Sequence, residues 1–222
     1  MNQGAFRDQV VLVTGAGTGA GRRLVHAFAE RGAIVAANDI SPVNVEPLVK
    51  EIIAGGGQAH VYLEDLAKKV AVQALVNRIE DALGHIDILV HHATVSPGAG
   101  LLELDEWDWH RTLDVNLTAA FLLVQSVGRL MRGRGGVILN VTSLEPGAHG
   151  APYAVCVGAI EALTRAAASE LAPHGIRVHM LARRLPHSDG NTTGVPTTLA
   201  EAATHLCTHP ELNGLVVNVE DA

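Results

Sequence analysis

The sequence predicts an α/β fold: one doubly wound parallel β-sheet with helices on both faces. Three observations predict it. Short aliphatic runs alternate with longer amphipathic stretches along the whole chain, the rhythm of parallel strands joined by crossover helices. Apolar residues make up 48% of the chain but aromatics only 3%, so the core must be built from Val, Leu, Ile and Ala, as in strands buried on both faces. A glycine-rich turn falls directly between the first aliphatic run and the first amphipathic one, the place of a phosphate-binding turn in such sheets.

The elements follow in order. Val10 to Val13 reads as a buried strand, and Gly21 to Arg31 as a helix with Leu24, Val25 and Phe28 at helical spacing. Ile34 to Ala37 is the second strand and Val43 to Ala54 the second helix, stopped by Gly55-Gly56-Gly57. Ala59 to Leu63 and Leu66 to Leu83 are the third pair, and Ile86 to Val90 is the fourth strand. Glu106 to Met131 reads as one long helix, ended by the glycines at 133, 135 and 136. Strand 137–141, helix 153–171, strand 176–181, helix 199–208 and strand 215–219 complete the pattern. The irregular stretch 183–196 is rich in Pro, Gly, Asn, Ser and Thr. At 222 residues the chain suits a single domain over 1–222 and is short for two.

The turn Thr14-Gly15-Ala16-Gly17-Thr18-Gly19-Ala20-Gly21 has the chemistry of a dinucleotide site. Glycines let the backbone approach a pyrophosphate, and the following helix presents free N–H groups and the positive end of its dipole. In this strand–turn–helix setting the pattern indicates a Rossmann-type fold. Asp39 closes the second strand, where a carboxylate accepts hydrogen bonds from the adenosine ribose hydroxyls and repels a 2′-phosphate. Neither Thr18, Ile40 nor Ser41 is replaced by a cation that would reverse the choice, so NAD is expected over NADP.

With these residues in view, the chain resembles the short-chain dehydrogenase/reductase family over nearly its whole length. The glycine pattern matches that family's cofactor turn, and Asp65-Leu66 its adenine-contacting segment after the third strand. Asp114-Val115-Asn116-Leu117 matches the segment carrying its Asn, Val141-Thr142-Ser143 the strand end carrying its Ser, and Tyr153 its Tyr. Glu170 to Val178 is similar to its connection into the sixth strand. The resemblance implies Asn116, Ser143 and Tyr153 as catalytic residues. It implies Gly15, Gly17, Thr18, Gly19, Ala20, Gly21, Asp39, Ile40, Asp65, Leu66, His91 and Ala93 as cofactor-binding residues. It also implies oxidoreduction of a small carbonyl or alcohol.

Four departures qualify that expectation. His91-His92-Ala93-Thr94 replaces an Asn-Asn-Ala-Gly-like turn, and Ser143 and Tyr153 stand closer in sequence than is usual. Arg183-Arg184 replaces a Pro-Gly pair, and the substrate-covering segment after it is reduced. Val157 occupies the position, one turn after Tyr153, of the family's lysine, and the chain's lysines, Lys50, Lys68 and Lys69, all lie in its first third. That lysine lowers the tyrosine's pKa and clamps the nicotinamide ribose. An ordinary phenol titrates near ~10, so making the phenolate at pH 7 costs about 4 kcal/mol. Alcohol oxidation, which needs a base, suffers most; carbonyl reduction needs only an acid. Arg183, Arg184 and His149 are the cations that position alone offers as substitutes. The alternative to an active reductase is a pseudoenzyme that binds dinucleotide and serves assembly or regulation.

Other classes fit less well. His91-His92 and His205-x-Cys207-x-His209 suggest zinc, but no second Cys or carboxylate pair completes a ligand set, so no metal is expected. A net charge of −7 disfavours nucleic acid or an anionic membrane as partner. The first residues lack an apolar signal core, no run approaches a membrane span, and the two cysteines form no framework; a cytoplasmic placement is expected. Small residues on helices 106–131 and 153–171, with the family's use of these two helices, suggest a homodimer or homotetramer.

Overall fold

The computed structural model describes residues 4–143, 150–183, 195–196 and 198–219, without the side chains of Ser143 and Arg183. Its strands are β1 (Val10–Thr14), β2 (Ile34–Asp39), β3 (Gln58–Leu63), β4 (Ile88–His91), β5 (Gly136–Ser143), β6 (Ile176–Arg183) and β7 (Val216–Val219). All pair in parallel, in the order β3-β2-β1-β4-β5-β6-β7. Its α-helices are α1 (Gly19–Ala29), α2 (Pro42–Ala54), α3 (Lys69–Leu83), α4 (Glu106–Leu113), α5 (Ala119–Met131), α6 (Ala151–Leu171) and α7 (Leu199–Thr208).

Alternation along each strand divides the core. Val11 and Val13 of β1 pack with α1, α2 and α7, while Val10 and Leu12 pack with α3, α5 and α6. The aliphatic runs are therefore apolar at every position because both faces are covered. Strand order reverses between β1 and β4, which opens a crevice past their carboxyl ends.

Several element boundaries shift by a residue or two, and three of the corrections have a visible cause. The fourth strand starts at Ile88, because Asp87 instead ties down the start of β1: its Oδ2 accepts from Val10 N–H at 2.8 Å. The third helix starts at Lys69, since Asp65 to Lys68 forms a turn in which Asp65 Oδ1 accepts from Ala67 N–H at 3.2 Å. The single helix expected over 106–131 is two helices, α4 and α5, separated by a π-turn at Asp114–Thr118 where Ala119 N–H donates to the Asp114 carbonyl. Arg184 and His149 lie outside the described residues, as does most of the irregular stretch 183–196.

Candidate dinucleotide and catalytic site

The glycine turn is shaped by close approach. Gly15 has φ +62°, and a Cβ there would lie 2.8 Å from Ala93 Cα, so only glycine lets β1 leave the sheet against the end of β4. A Cβ on Gly21 would stand 1.9 Å from the Gly15 carbonyl oxygen, which packs the first turn of α1 directly on the loop. A Cβ on Gly17 would meet Asp39 Oδ2 at 2.9 Å. The Asp39 carboxylate is held by backbone donors: Gly17 N–H to Oδ2 at 2.9 Å and Ser41 N–H to Oδ1 at 2.9 Å.

These residues border a cleft of about 190 Å³ at the strand-order reversal. Gly15, Thr18, Asp39, Ile40, Asp65, Leu66 and Ala93, all expected from sequence, line it. Ala20 and Gly21 are instead buried in α1, and His91 sits beneath the cleft on β4. The cleft also takes Asn38, Glu64, His92, Thr94, Val95, Arg111 and Val115, which the motif pattern does not single out. Arg111 of α4 reaches Asp65 Oδ2 at 3.2 Å. Burial works against the Asp65 carboxylate, but the Ala67 N–H and the Arg111 guanidinium outweigh it and hold its pKa below the usual value. No periodicity could find this pair, because α4 and the end of β3 meet only through the fold.

On the reaction side, Tyr153 lies in the first turn of α6, 3% exposed, and Val157 follows one turn later, 6% exposed. Both belong to an apolar cluster with Ala120, Ile160, Met180 and Ala182. Tyr153 and Val157 also border a small cavity of about 10 Å³ with His91, Asn116, Asn140, Thr142 and Cys156. Among the described residues lining it there is no Lys or Arg. The Asn140 Oδ1 and Thr142 Oγ1 atoms are buried there without a hydrogen-bond partner among the described residues. Burial pushes the Cys156 thiol up to about 11, so it offers no thiolate. The backbone of Ser143 ends β5 beside Arg183; its side chain is outside the description.

Asn116 sits in the π-turn with its amide fully engaged. Its Oδ1 accepts from Thr94 Oγ1 at 2.7 Å and Val95 N–H at 3.3 Å; its Nδ2 donates to the Val95 and Thr112 carbonyls, both at 2.8 Å. The side chain thus fixes the segment after β4 and fills the interrupted helical ladder. Elsewhere, His205 and His209 stack at 3.7 Å between centroids on α7 and just beyond it. Burial pushes the thiol of Cys207, which stands between them in sequence, up to about 12. Among the described residues no group of three His, Cys, Asp or Glu is placed to hold a metal ion.

The same architecture recurs in known proteins. Residues 9–219 match the family model described as short chain dehydrogenase. This chain belongs to that family. A subunit of (2S)-[(R)-hydroxy(phenyl)methyl]succinyl-CoA dehydrogenase, BbsD of Thauera aromatica, is 37% identical over 186 residues, covering 82% of this short-chain dehydrogenase and 75% of the relative. The 3-oxoacyl-[acyl-carrier-protein] reductase FabG of Thermotoga maritima is 35% identical over 182 residues, covering 80% and 74%. Among solved structures, a 3-oxoacyl-[acyl-carrier protein] reductase of Brucella melitensis with bound NAD superposes with a TM-score of 0.86 at 27% identity, covering 99% of this chain and 92% of that one. A short-chain dehydrogenase/reductase of Burkholderia xenovorans gives 0.86 at 30%, covering 97% and 96%. In this short-chain dehydrogenase no helix of the described residues is long and apolar enough to cross a membrane.

Proposed function

We propose that this short-chain dehydrogenase binds NAD(H) in preference to NADP(H) and acts on a small carbonyl or alcohol, with reduction favoured over oxidation. The observation that carries the cofactor choice is the Asp39 carboxylate, pinned by the Gly17 and Ser41 N–H groups at the cleft wall. Glu64 and Asp65 line the same end but are paired with Arg78 and Arg111, so the repulsion of a 2′-phosphate falls to Asp39. The dinucleotide fits the residues present, since Gly15 and Gly17 form a cradle that a Cβ would fill. In this reading Gly15, Thr18 and Gly19 take the pyrophosphate; Asp39 and Ile40 take the adenosine ribose, Asp65 and Leu66 the adenine, and Ala93 lines the way to the nicotinamide. When bound, the dinucleotide supplies or accepts the hydride. Tyr153 donates its Oη proton to the carbonyl oxygen, Ser143 orients that oxygen, and Asn116 holds the loop that closes the site.

Direction follows from Val157. A neutral phenol remains an acid, but without a cation one turn away it is a poor base at pH 7. The second reading, a dinucleotide-binding protein that has lost turnover, is favoured by the apolar packing of Val157 against the Tyr153 cluster. Titration calorimetry with NADH and NADPH, followed by a turnover screen with simple ketones and alcohols, separates the two. Tight NADH binding with ketone reduction supports the first reading; tight binding with no turnover supports the second. Absence of binding to either nucleotide contradicts both.

The reading includes a homodimer through α5 and α6. Phe121 and Val155 are about half exposed on these helices, and a groove of about 330 Å³ lies between the helices, lined by Val124, Leu163 and Ala166 and also by Arg129, Arg132 and Glu170. Light scattering at micromolar concentration should give at least twice the 23.3 kDa chain mass, and a monomer mass would contradict the reading.

A further inference from the structure

Thr94 stands where the dinucleotide cleft and the reaction side meet. It lines the cleft with Gly15 and Asp39, and it borders the small cavity beside Tyr153 and Val157. Among the described residues only Ala93 shares that position, and its side chain forms no hydrogen bond. The neighbouring amide fixes what the Thr94 hydroxyl can offer. Asn116 Nδ2 has two protons, and both go to carbonyls, those of Val95 and Thr112, each at 2.8 Å. Oδ1 is therefore the atom that meets the Val95 N–H at 3.3 Å and Thr94 Oγ1 at 2.7 Å. A carboxamide oxygen only accepts, so the Thr94 proton points to Asn116. What Oγ1 has left is lone pairs, on an exposed residue of the cleft wall. A hydroxyl committed in this way accepts from a ligand O–H or N–H and repels a ligand acceptor such as a phosphate oxygen.

We propose that Thr94 is a cofactor-binding residue whose Oγ1 accepts from a hydroxyl of the nicotinamide ribose, and so holds that ribose where Val157 replaces the lysine. The inference rests on the reading that the cleft holds a dinucleotide. Asp39 and Asp65 lie at the adenosine end in that reading, so the donors left for Thr94 belong to the nicotinamide half. The ribose is the part that must pass between the cleft and the Tyr153 side, and it is the part that the resembled lysine clamps. A ribose hydroxyl both donates and accepts, so an acceptor can hold it as an ammonium would. Thr94 replaces a glycine of the resembled turn, and glycine has no side chain to do this.

Calorimetry on the full chain tests it as a cycle of residue and ligand, which cancels whatever the substitution does to the Asn116 contact. The ligands are NAD, its analogues lacking the 2′- or the 3′-hydroxyl of the nicotinamide ribose, and ADP, which ends before that ribose. Thr94→Val removes the hydroxyl and keeps the shape; Thr94→Ser keeps the hydroxyl. Thr94→Val should bind NAD about fivefold more weakly than the wild type, with Thr94→Ser close to the wild type and ADP bound alike by all three. The wild type should bind one of the deoxy analogues about fivefold more weakly than NAD, and Thr94→Val should bind that analogue and NAD equally. Wild-type NAD affinity in Thr94→Val, a loss that extends equally to ADP, or an analogue penalty that the substitution leaves unchanged would overturn the proposal. Should Thr94→Val not fold, Thr94→Gly, the residue type of the resembled turn, completes the same cycle with the same outcomes. A wild type that binds neither NAD nor ADP would remove the dinucleotide reading and this proposal with it, whereas NAD binding indifferent to Thr94 removes this proposal alone.

Discussion

Val157 stands one helical turn after Tyr153, where the resemblance implies a lysine, and it is buried. The side chain is not a surface residue awaiting a cation; it packs with Ile160, Met180 and Ala182 against Tyr153. Val157→Lys would place an ammonium one helical turn from the phenol and favour its ionised form. Alcohol oxidation at pH 7 should then rise at least tenfold, about 1.4 kcal/mol in the barrier, while carbonyl reduction changes less and the pH optimum for oxidation falls. Initial rates in both directions between pH 6 and 10 measure this. A folded, NAD-binding variant with unchanged rates in both directions would mean that the lysine is not the limiting loss, and that the altered segment around Ser143 is. Desolvation works against the new ammonium, so a destabilisation of about 1–3 kcal/mol should accompany it.

At the scale of elements, α7 is held by a residue whose role the family-like segment Glu170 to Val178 does not reveal. Arg177, on β6, donates through Nη1 to the carbonyls of Leu206 at 2.6 Å, His209 at 3.0 Å and Leu212 at 3.3 Å, and through Nη2 to that of Cys207 at 2.8 Å. It satisfies the carbonyls that a helix end leaves open and adds a charge at the negative end of the dipole. Arg177→Met should cost about 3 kcal/mol, seen as a lower midpoint in urea with an unchanged slope, because buried carbonyls lose their donor. A loss below about 0.5 kcal/mol would show that water replaces it. The strands and the glycine turn were legible in sequence because each depends on local pattern: aliphatic runs, turn glycines and a carboxylate at a strand end. The π-turn was not, because Val115, Leu117, Ala119, Leu122 and Leu123 keep the segment apolar enough to hide a one-residue change of phase. Arg111 on Asp65 and Arg177 on α7 were hidden for another reason: each pair is made by topology, not by spacing. Ala20 and Gly21 belong to the glycine pattern yet serve packing, since a tight turn requires small residues on its inner side as well as toward its ligand.

For the whole molecule, buried histidines give stability a defined pH dependence. Burial pushes His91 and His179 each down to about 4 from an ordinary 6.5, with His92 acting further on the first and Arg177 on the second. Above pH 6.5 both are neutral folded or unfolded. As pH falls below 6.5 the unfolded chain takes up protons that the folded chain refuses, so stability is lost progressively until about pH 4 and then levels with respect to these groups. For His91 the full loss amounts to roughly 3 kcal/mol. Thermal melts at pH 7.5 and pH 5.0 should therefore differ by several degrees, the acid sample being lower; equal melting temperatures would show that the two rings accept protons in the folded state.

The assembly of glycine turn, Asp39 and cleft into an NAD site is the central claim, and nucleotide titration tests it most directly. Calorimetry on the wild type should show NADH binding at least tenfold tighter than NADPH, a difference of about 1.4 kcal/mol. Asp39→Ala should narrow that ratio by weakening NADH and strengthening NADPH. Equal affinities in the wild type, or a preference for NADPH, would contradict the account.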